Sequence, residues 1–326
     1  MAGERRFTSF EMCAGMGGQA LGLERAGFDP VLVLDKSPDA CSTLALNRPW
    51  NVQCWDVREF DSHSLPSTLR KQVIGVDLIS AGLPRVKSAA QVARRGSDDE
   101  ERHVLRTVAR LSTAIRPAAV LLENLDVLVT GDKFEADRTW VDTCLSDAGY
   151  RTFWRVLDAV DFEVPQYRRS GFLVALDHDV ADRFEWPTPL GTPAATVGDV
   201  LRESMASRGW HGAKSWSVDR ACRPGPALVG GSDRRGGADL GLTGSKKAWR
   251  QMGVDGSSLA NEVPDASFPV DGTPKITVRQ AALLQRIPEE WHISGKKTAV
   301  YRQIGHAMPP PLAEAVGKSI ARALAG

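Results

Sequence analysis

Cys13-Ala14-Gly15-Met16-Gly17-Gly18 is a glycine-rich turn between an alternating stretch, Phe7 to Met12, and residues in helical spacing, Ala20, Leu21, Leu23 and Glu24. Glycines at such a turn let the backbone approach a ligand closely and leave helix N-terminal amides free to bind it. Asp35 follows the apolar run Val31-Leu32-Val33-Leu34, and Asp56 follows Val52-Gln53-Cys54-Trp55. A carboxylate at a strand end of this kind accepts hydrogen bonds from ribose hydroxyls. Taken singly, the turn is also an ordinary βα connection and each acid an ordinary solvated residue. Together, at successive strand ends, they point to a nucleoside-containing cofactor. A third carboxyl, Glu123, ends the buried run Ala118-Ala119-Val120-Leu121-Leu122, where a helix cap is the plain reading.

These residues need strands that bring them to one edge. Val76-Asp77-Leu78-Ile79-Ser80 reads as a buried strand that runs into Ala81-Gly82-Leu83-Pro84-Arg85, the kind of turn where an open α/β sheet presents its chemistry. Ala89 to Glu101 is polar and carries Arg94 and Arg95 before a helix that begins near Arg102. Its arginines suit contact with phosphate, and a solvated charged loop fits the composition equally well. A helix over about Arg138 to Ala148 and strands over Arg151 to Leu157 and Phe172 to Leu176 follow.

From about Asp177 to Ile276 the texture changes to many Gly, Pro, Ser and Trp residues with few long periodic segments. Leu228 to Gly237, containing Arg234 and Arg235, and then Lys246, Lys247, Trp249 and Arg250, suit contact with a DNA groove. A plain irregular surface domain has the same composition. Thr277 to Gln285 is an amphipathic helix, and a closing helix runs from Leu312 to Leu324.

The chain has 326 residues, of which 42% are hydrophobic, enough for one large domain with a smaller appendage. With 41 Lys and Arg against 40 Asp and Glu, net charge gives no sign of nucleic acid, so any basic surface is local. Five cysteines, Cys13, Cys41, Cys54, Cys144 and Cys222, are scattered and form no C-x-x-C pair, which argues against a disulfide framework or a metal site. A reducing cytoplasm suits them. No apolar run approaches the roughly 18 residues a membrane span needs, so no membrane partner is expected.

In the order of these motifs the chain resembles the DNA cytosine carbon-5 methyltransferases. The resemblance rests on the Cys13 to Gly18 turn, the Glu123-Asn124-Leu125 tripeptide, the segment Gln166-Tyr167-Arg168-Arg169-Ser170, and Gly305-His306-Ala307-Met308-Pro309-Pro310. It implies a doubly wound, mostly parallel Rossmann-like α/β sheet with a small target-recognition domain and a DNA cleft between them. By its boundaries, residues 1–180 form the catalytic-type domain, 181–276 the recognition region, and 277–326 the segment that returns to complete the first domain.

The same resemblance implies S-adenosylmethionine as cofactor, bound by Cys13, Gly15, Gly17, Gly18, Asp35 on the ribose, Asp56 near the adenine, Gly305 and His306. It implies that Glu123 holds a flipped cytosine and that Arg168 helps to place it. Duplex DNA is the implied partner, with Arg85, Arg94, Arg95, Gln166, Arg234 and Arg235 as candidate contacts. A companion restriction enzyme or an active methyltransferase is the natural protein partner.

The chain departs from the family pattern at the points that matter for chemistry. The family's nucleophilic cysteine falls on Arg85, the preceding loop proline on Leu83, the second arginine of the Gln166 segment on Ser170, and an asparagine on His306. Arg169 lies one position early, and on an extended segment it points to the opposite face. Carbon-5 of cytosine attacks a methyl group only after a thiolate has added at carbon-6, and a guanidinium has no lone pair to offer. Two readings follow: a cofactor- and DNA-binding protein without carbon-5 chemistry, and an active S-adenosylmethionine-dependent DNA methyltransferase with a rebuilt site.

Overall fold

The computed structural model describes residues 6–60, 67–86, 99–191, 194–230 and 238–326. Arg94, Arg95, Arg234 and Arg235 therefore lie outside the described residues.

The strands are β1 (Phe7–Met12), β2 (Phe28–Asp35), β3 (Val52–Cys54), β4 (Leu78–Gly82), β5 (Ala119–Leu125), β6 (Tyr150–Asp158), β7 (Gln166–Tyr167), β8 (Arg169–Asp177) and β9 (Gly225–Pro226). Seven of them form one sheet in the order β3-β2-β1-β4-β5-β8-β6. From β3 to β5 every pairing is parallel, and β8 runs antiparallel to β5. The order reverses direction at β1 and β4, so the ends of these two strands and their neighbours form the edge where an open α/β sheet takes its ligands. The α/β, doubly wound, mostly parallel architecture is thus observed.

The near-continuous apolar character of β4 and β5 follows from burial on both faces: Leu78, Ile79, Ala81 and Ala119 to Leu122 are all buried. Helices complete the layers. Helix α1 (Gly18–Arg25) leaves the glycine turn, α2 (Pro38–Asn47) is capped by Ser37 and starts on a proline, and α3 (Ser67–Val73) precedes β4. Helix α4 (Asp99–Ile115) opens on Asp99, Glu100 and Glu101, which oppose the positive end of its dipole. Its face of Val104, Leu105, Val108 and Leu111 joins Val141 and Leu145 of α5 (Glu135–Ser146) and Phe10, Ile79, Val120 and Leu173 of the sheet in one core.

The chain divides into two compact units, one of residues 1–157, 169–188 and 313–326, the other of 158–168 and 189–312. In the second unit, α6 (Val197–Ala206), α7 (Thr243–Gln251), α8 (Val278–Leu284) and α9 (Lys297–His306) surround buried Trp210, Trp216, Trp249 and Ile304. The unit boundary differs from the expected one at 277. Helices α8 and α9 stay with the recognition stretch because Gln280 of α8 donates to Ser204 Oγ of α6 at 3.1 Å, and Gln285 Nε2 to the Ile304 carbonyl at 2.9 Å. Lys297 adds a bond to the carbonyl of Leu259 at 2.6 Å. Only from Ala313 onward does helix α10 (Pro310–Ala325) belong to the sheet unit, where Gly317 lets it pack on Leu23 and Ala26. Among the described residues no helix is long and apolar enough to cross a membrane.

Candidate active site

At the end of β1 the backbone enters the left-handed region at Cys13 (φ 51°), Gly15 (φ 56°) and Gly17 (φ 92°). The tight coil this produces is closed by Gly17 N–H donating to the Ala14 carbonyl at 3.0 Å, and it is tied to β2 by Ala14 N–H donating to the Leu34 carbonyl at 3.0 Å. No atom approaches within 4 Å of the place a side chain would take at Gly15, so the turn presents bare backbone to open space. Asp35 sets the turn's shape: its two oxygens accept from Gly15 N–H and Ser37 N–H, each at 2.8 Å. Burial pushes the Asp35 carboxyl above the usual carboxylate value, and those two backbone donors work against the push.

Beneath this edge lies a hidden acid that the sequence reading passed over. Glu11 is buried and accepts from Ser9 Oγ at 2.7 Å and Ser80 Oγ at 2.6 Å, and Ser80 in turn accepts from Gln19 Nε2. Burial raises its carboxyl above the ordinary value, with the two serine hydroxyls opposing. The network joins β1, β4 and α1 directly below the glycine turn.

One strand further out, Asp56 caps a short turn and is gripped by Arg58, whose Nε lies 3.0 Å from each carboxylate oxygen. That grip lowers the Asp56 carboxyl below its usual value. Arg58 also pairs with Glu100 at 3.0 Å, and Glu100 pairs with Lys36 at 3.1 Å, which ties the first turn of α4 to the ends of β2 and β3. A cavity of about 450 Å³ is lined by Asp56, Arg58, Glu59, Asp99, Glu100 and His103.

The β4 and β5 ends carry the second half of the site. Gly82 lies opposite Glu123, and Leu83 N–H donates to the Glu123 carbonyl at 3.0 Å. Asn124 holds the loop beyond: its Nδ2 donates to the Pro84 carbonyl at 3.0 Å and its Oδ1 accepts from Val86 N–H at 3.1 Å. Arg85 is thus fixed from both sides. Glu123 lies within β5 and is 7% exposed, and its Oε1 accepts from Ser170 Oγ of β8 at 2.7 Å. It is a strand residue with a cross-strand donor, so the helix-cap alternative does not hold. Burial pushes the Arg85 guanidinium below its usual value, and the charge of Glu123 opposes that push. On β8, Ser170 is buried whereas Arg169 is exposed and meets Asp126 at 3.5 Å, as the alternation of an extended segment requires.

Comparison with known proteins agrees with this arrangement of turn, acids and loop. The model of the C-5 cytosine-specific DNA methylase family matches residues 7–322. The chain belongs to that family. It is 41% identical over 96% of its length to the type II methyltransferase M.NaeI of Lentzea aerocolonigenes, of which it covers 74%. It is 38% identical to the type II methyltransferase M.NgoMIV of Neisseria gonorrhoeae, with 98% of each chain covered. Among solved structures, the S. pombe Dnmt2 methyltransferase shares the fold, with a TM-score of 0.63 at 15% identity over 98% of this chain and 99% of that one.

The C-5 DNA methylase family uses S-adenosylmethionine as methyl donor, and the residues at the β1, β2 and β3 ends fit it. Open backbone at Gly15, a half-buried carboxyl at Asp35 and a neighbouring cavity beside Asp56 are the features a nucleoside with a short charged tail requires. Cys13, Gly15, Gly17 and Gly18 share one turn, and Asp35 at the end of β2 is joined to it through the Gly15 amide. The Cys13 thiol is pushed up to about 12, first by burial and then by the charges of Asp35 and Asp56.

For the Gln166 segment the structure gives contacts within the protein. Gln166, expected at DNA, is fully buried in the second unit, where its Nε2 donates to the Leu284 carbonyl at 2.7 Å and its Oε1 accepts from Leu228 N–H at 2.9 Å. Both ends of its amide are engaged. Arg168, expected to place the target base, is 3% exposed and spends its guanidinium on the carbonyls of Leu228 and Gly305, each at 3.1 Å, and of Ala307 at 2.8 Å. These are structural anchors. Gly305 and His306 lie in the same unit; the Gly305 backbone packs so closely on Gly230 that a Cβ would meet its nitrogen at 2.3 Å. That packing accounts for the glycine.

Sequence reasoning missed Ser170 as the donor to Glu123, Asn124 as the clamp of the Arg85 loop, and the Lys36, Arg58 and Glu100 cluster. The first two stood inside quoted motifs. For the third, the acidic run at the start of α4 was the available signal.

Proposed function

We propose that this member of the C-5 DNA methylase family binds S-adenosylmethionine and duplex DNA and does not methylate carbon-5 of cytosine. The observation that carries the reading is Arg85, clamped by Asn124 beside Glu123 at the β4 end, where the family resemblance places the attacking thiol. When bound, the cofactor supplies an electrophilic methyl group, and the target carbon has to be made nucleophilic by addition at carbon-6. A guanidinium offers no lone pair for that addition.

No described cysteine takes over. Cys13 is nearest along the edge, its carbonyl facing Gly82, but its thiol is held up at about 12 and carries almost no thiolate at neutral pH. Cys41 is likewise raised to about 12 and lies on α2, Cys54 is exposed at the end of β3, and Cys144 lies within α5. Cys222 is exposed in the second unit. Support for DNA as partner comes from family membership and from α7, which buries Trp249 and exposes Lys247 and Arg250 on the other side. A type II restriction-modification setting, with a restriction enzyme or an active methyltransferase as companion, is the context the relatives favour.

Purified protein incubated with S-adenosylmethionine labelled in the methyl group, together with mixed duplex DNA, tests the reading. Labelled cofactor should be retained on filters with the protein, and no label should enter the DNA. Label recovered as 5-methylcytosine after digestion would contradict it.

A further inference from the structure

We propose that Gln19, together with the Cys13 carbonyl, receives the α-ammonium group at the amino-acid end of the cofactor. The inference rests on the assignment of S-adenosylmethionine to this edge of the sheet and adds the residue that recognises one of its groups. Gln19 lies in the first turn of α1, directly after the glycine turn, and is 5% exposed. Its two amide ends are in unlike situations. Nε2 donates to Ser80 Oγ, whereas Oε1, also buried, meets no donor among the described residues. A buried acceptor without a donor is costly, so this oxygen calls for a partner that the chain itself does not supply.

The direction of Oε1 is set from below. The Ser80 hydroxyl gives its one proton to Glu11 at 2.6 Å, so towards Gln19 its oxygen can only accept. Glu11 is held on its other side by Ser9 Oγ at 2.7 Å. That order of donors turns the amide nitrogen to Ser80 and leaves the amide oxygen for the end of β4, since Ser80 and Gly82 stand on one face of the same strand. A Cβ placed on Gly82 would meet the Cys13 carbonyl oxygen at 3.3 Å and Gln19 Oε1 at 3.7 Å, and, apart from its chain neighbours, no other atom of the described residues within 4 Å. Glycine keeps that place clear of a side chain, with two oxygen acceptors beside it.

Two acceptors side by side select a cationic N–H donor. Of the groups on S-adenosylmethionine, the sulfonium has no hydrogen to donate and the carboxylate is itself an acceptor. The adenine amino group and the ribose hydroxyls are taken, on the same assignment, by Asp56 and Asp35. The α-ammonium remains. It has N–H donors enough for both oxygens, and a hydrogen bond from a charged donor is about twice as strong as a neutral one.

The test is calorimetric titration of the full-length protein with S-adenosylhomocysteine and with its desamino analogue, in which hydrogen replaces the α-amino group and the carboxylate is kept. The unaltered protein should bind the analogue at least about tenfold more weakly. Gln19→Met keeps the length of the side chain and removes both amide ends; it should weaken S-adenosylhomocysteine at least about tenfold and leave the analogue within about twofold. Equal weakening of the two ligands would overturn the proposal and make Gln19 a structural residue, and an unchanged affinity for S-adenosylhomocysteine would overturn it as well. A second readout on the unaltered fold covers the case in which Gln19→Met does not fold. With carbon-13 in the glutamine side chains, the Gln19 carboxamide signal should move when S-adenosylhomocysteine saturates the protein and stay in place with the analogue; equal movement with both, or none with either, would contradict the assignment of Oε1 to the ammonium. Failure of the cofactor assignment looks different: neither ligand would give heat with the unaltered protein, and both conclusions would fall.

Discussion

Arg168→Met separates a structural anchor from a base-contacting arginine. The substitution keeps the aliphatic stem and removes the guanidinium, leaving the carbonyls of Leu228, Gly305 and Ala307 without the donors now at 3.1, 3.1 and 2.8 Å. Hydrogen bonds to a charged group are worth about 1.5–3 kcal/mol each, and three of them overshoot because removing a buried charge also returns its desolvation cost. A net loss of about 3–5 kcal/mol is the expected balance, the low end for three buried carbonyls left unsatisfied at about 1–3 kcal/mol each. At about 2–4 °C per kcal/mol for a unit of this size, the melting temperature should fall by about 6–20 °C. Differential scanning fluorimetry and urea titration read the change. A melting temperature within about 2 °C of the unaltered protein, combined with lost DNA affinity, would refute the argument and return Arg168 to the DNA.

Other outcomes follow from the same geometry. Folded Glu11 keeps its proton to higher pH than the unfolded chain does, so the native state binds the extra proton and stability declines as pH rises from about 4.5 through the raised value; Glu11→Gln should flatten that decline in melting curves taken from pH 4 to 8. S-adenosylhomocysteine at 100 times its dissociation constant should stabilise the fold by about 2.7 kcal/mol, and Asp35→Ala, which frees the Gly15 and Ser37 amides, should weaken calorimetric binding at least tenfold. Affinity for duplex DNA should fall with salt at a log-log slope of roughly −0.9 per phosphate contacted, and Lys247→Ala should flatten it by about one contact.

What could be read from the sequence was what local spacing encodes. The Cys13 to Gly18 turn, Asp35 and Glu123 were legible because each stands at the end of a run whose apolar pattern marks a strand, and a parallel sheet brings such ends to one edge. Ser170 was legible as a departure from a pattern, but its bond to Glu123 depends on the antiparallel register of β8 on β5, in which Leu125 faces Ser170. No spacing in the chain reveals a register between strands 47 positions apart. Gln166 and Arg168 show the opposite case: the motif was visible, but its contacts with carbonyls of residues 60 to 139 positions away were not. The unit boundary was not legible for a related reason, because Gln280 on α8 and Gln285 at its end are polar residues whose partners, Ser204 and Ile304, come from separate segments.

The central claim is that a chain with this fold and Arg85 at the β4 end leaves cytosine carbon-5 unmethylated. Bisulfite sequencing of the genome of a methylation-free host expressing the protein tests it most directly, with a host expressing a cytosine carbon-5 methyltransferase as control. Conversion of cytosine in every sequence context, indistinguishable from that of the empty host, is the predicted result. Reproducible protection of cytosine within one sequence context would contradict the account.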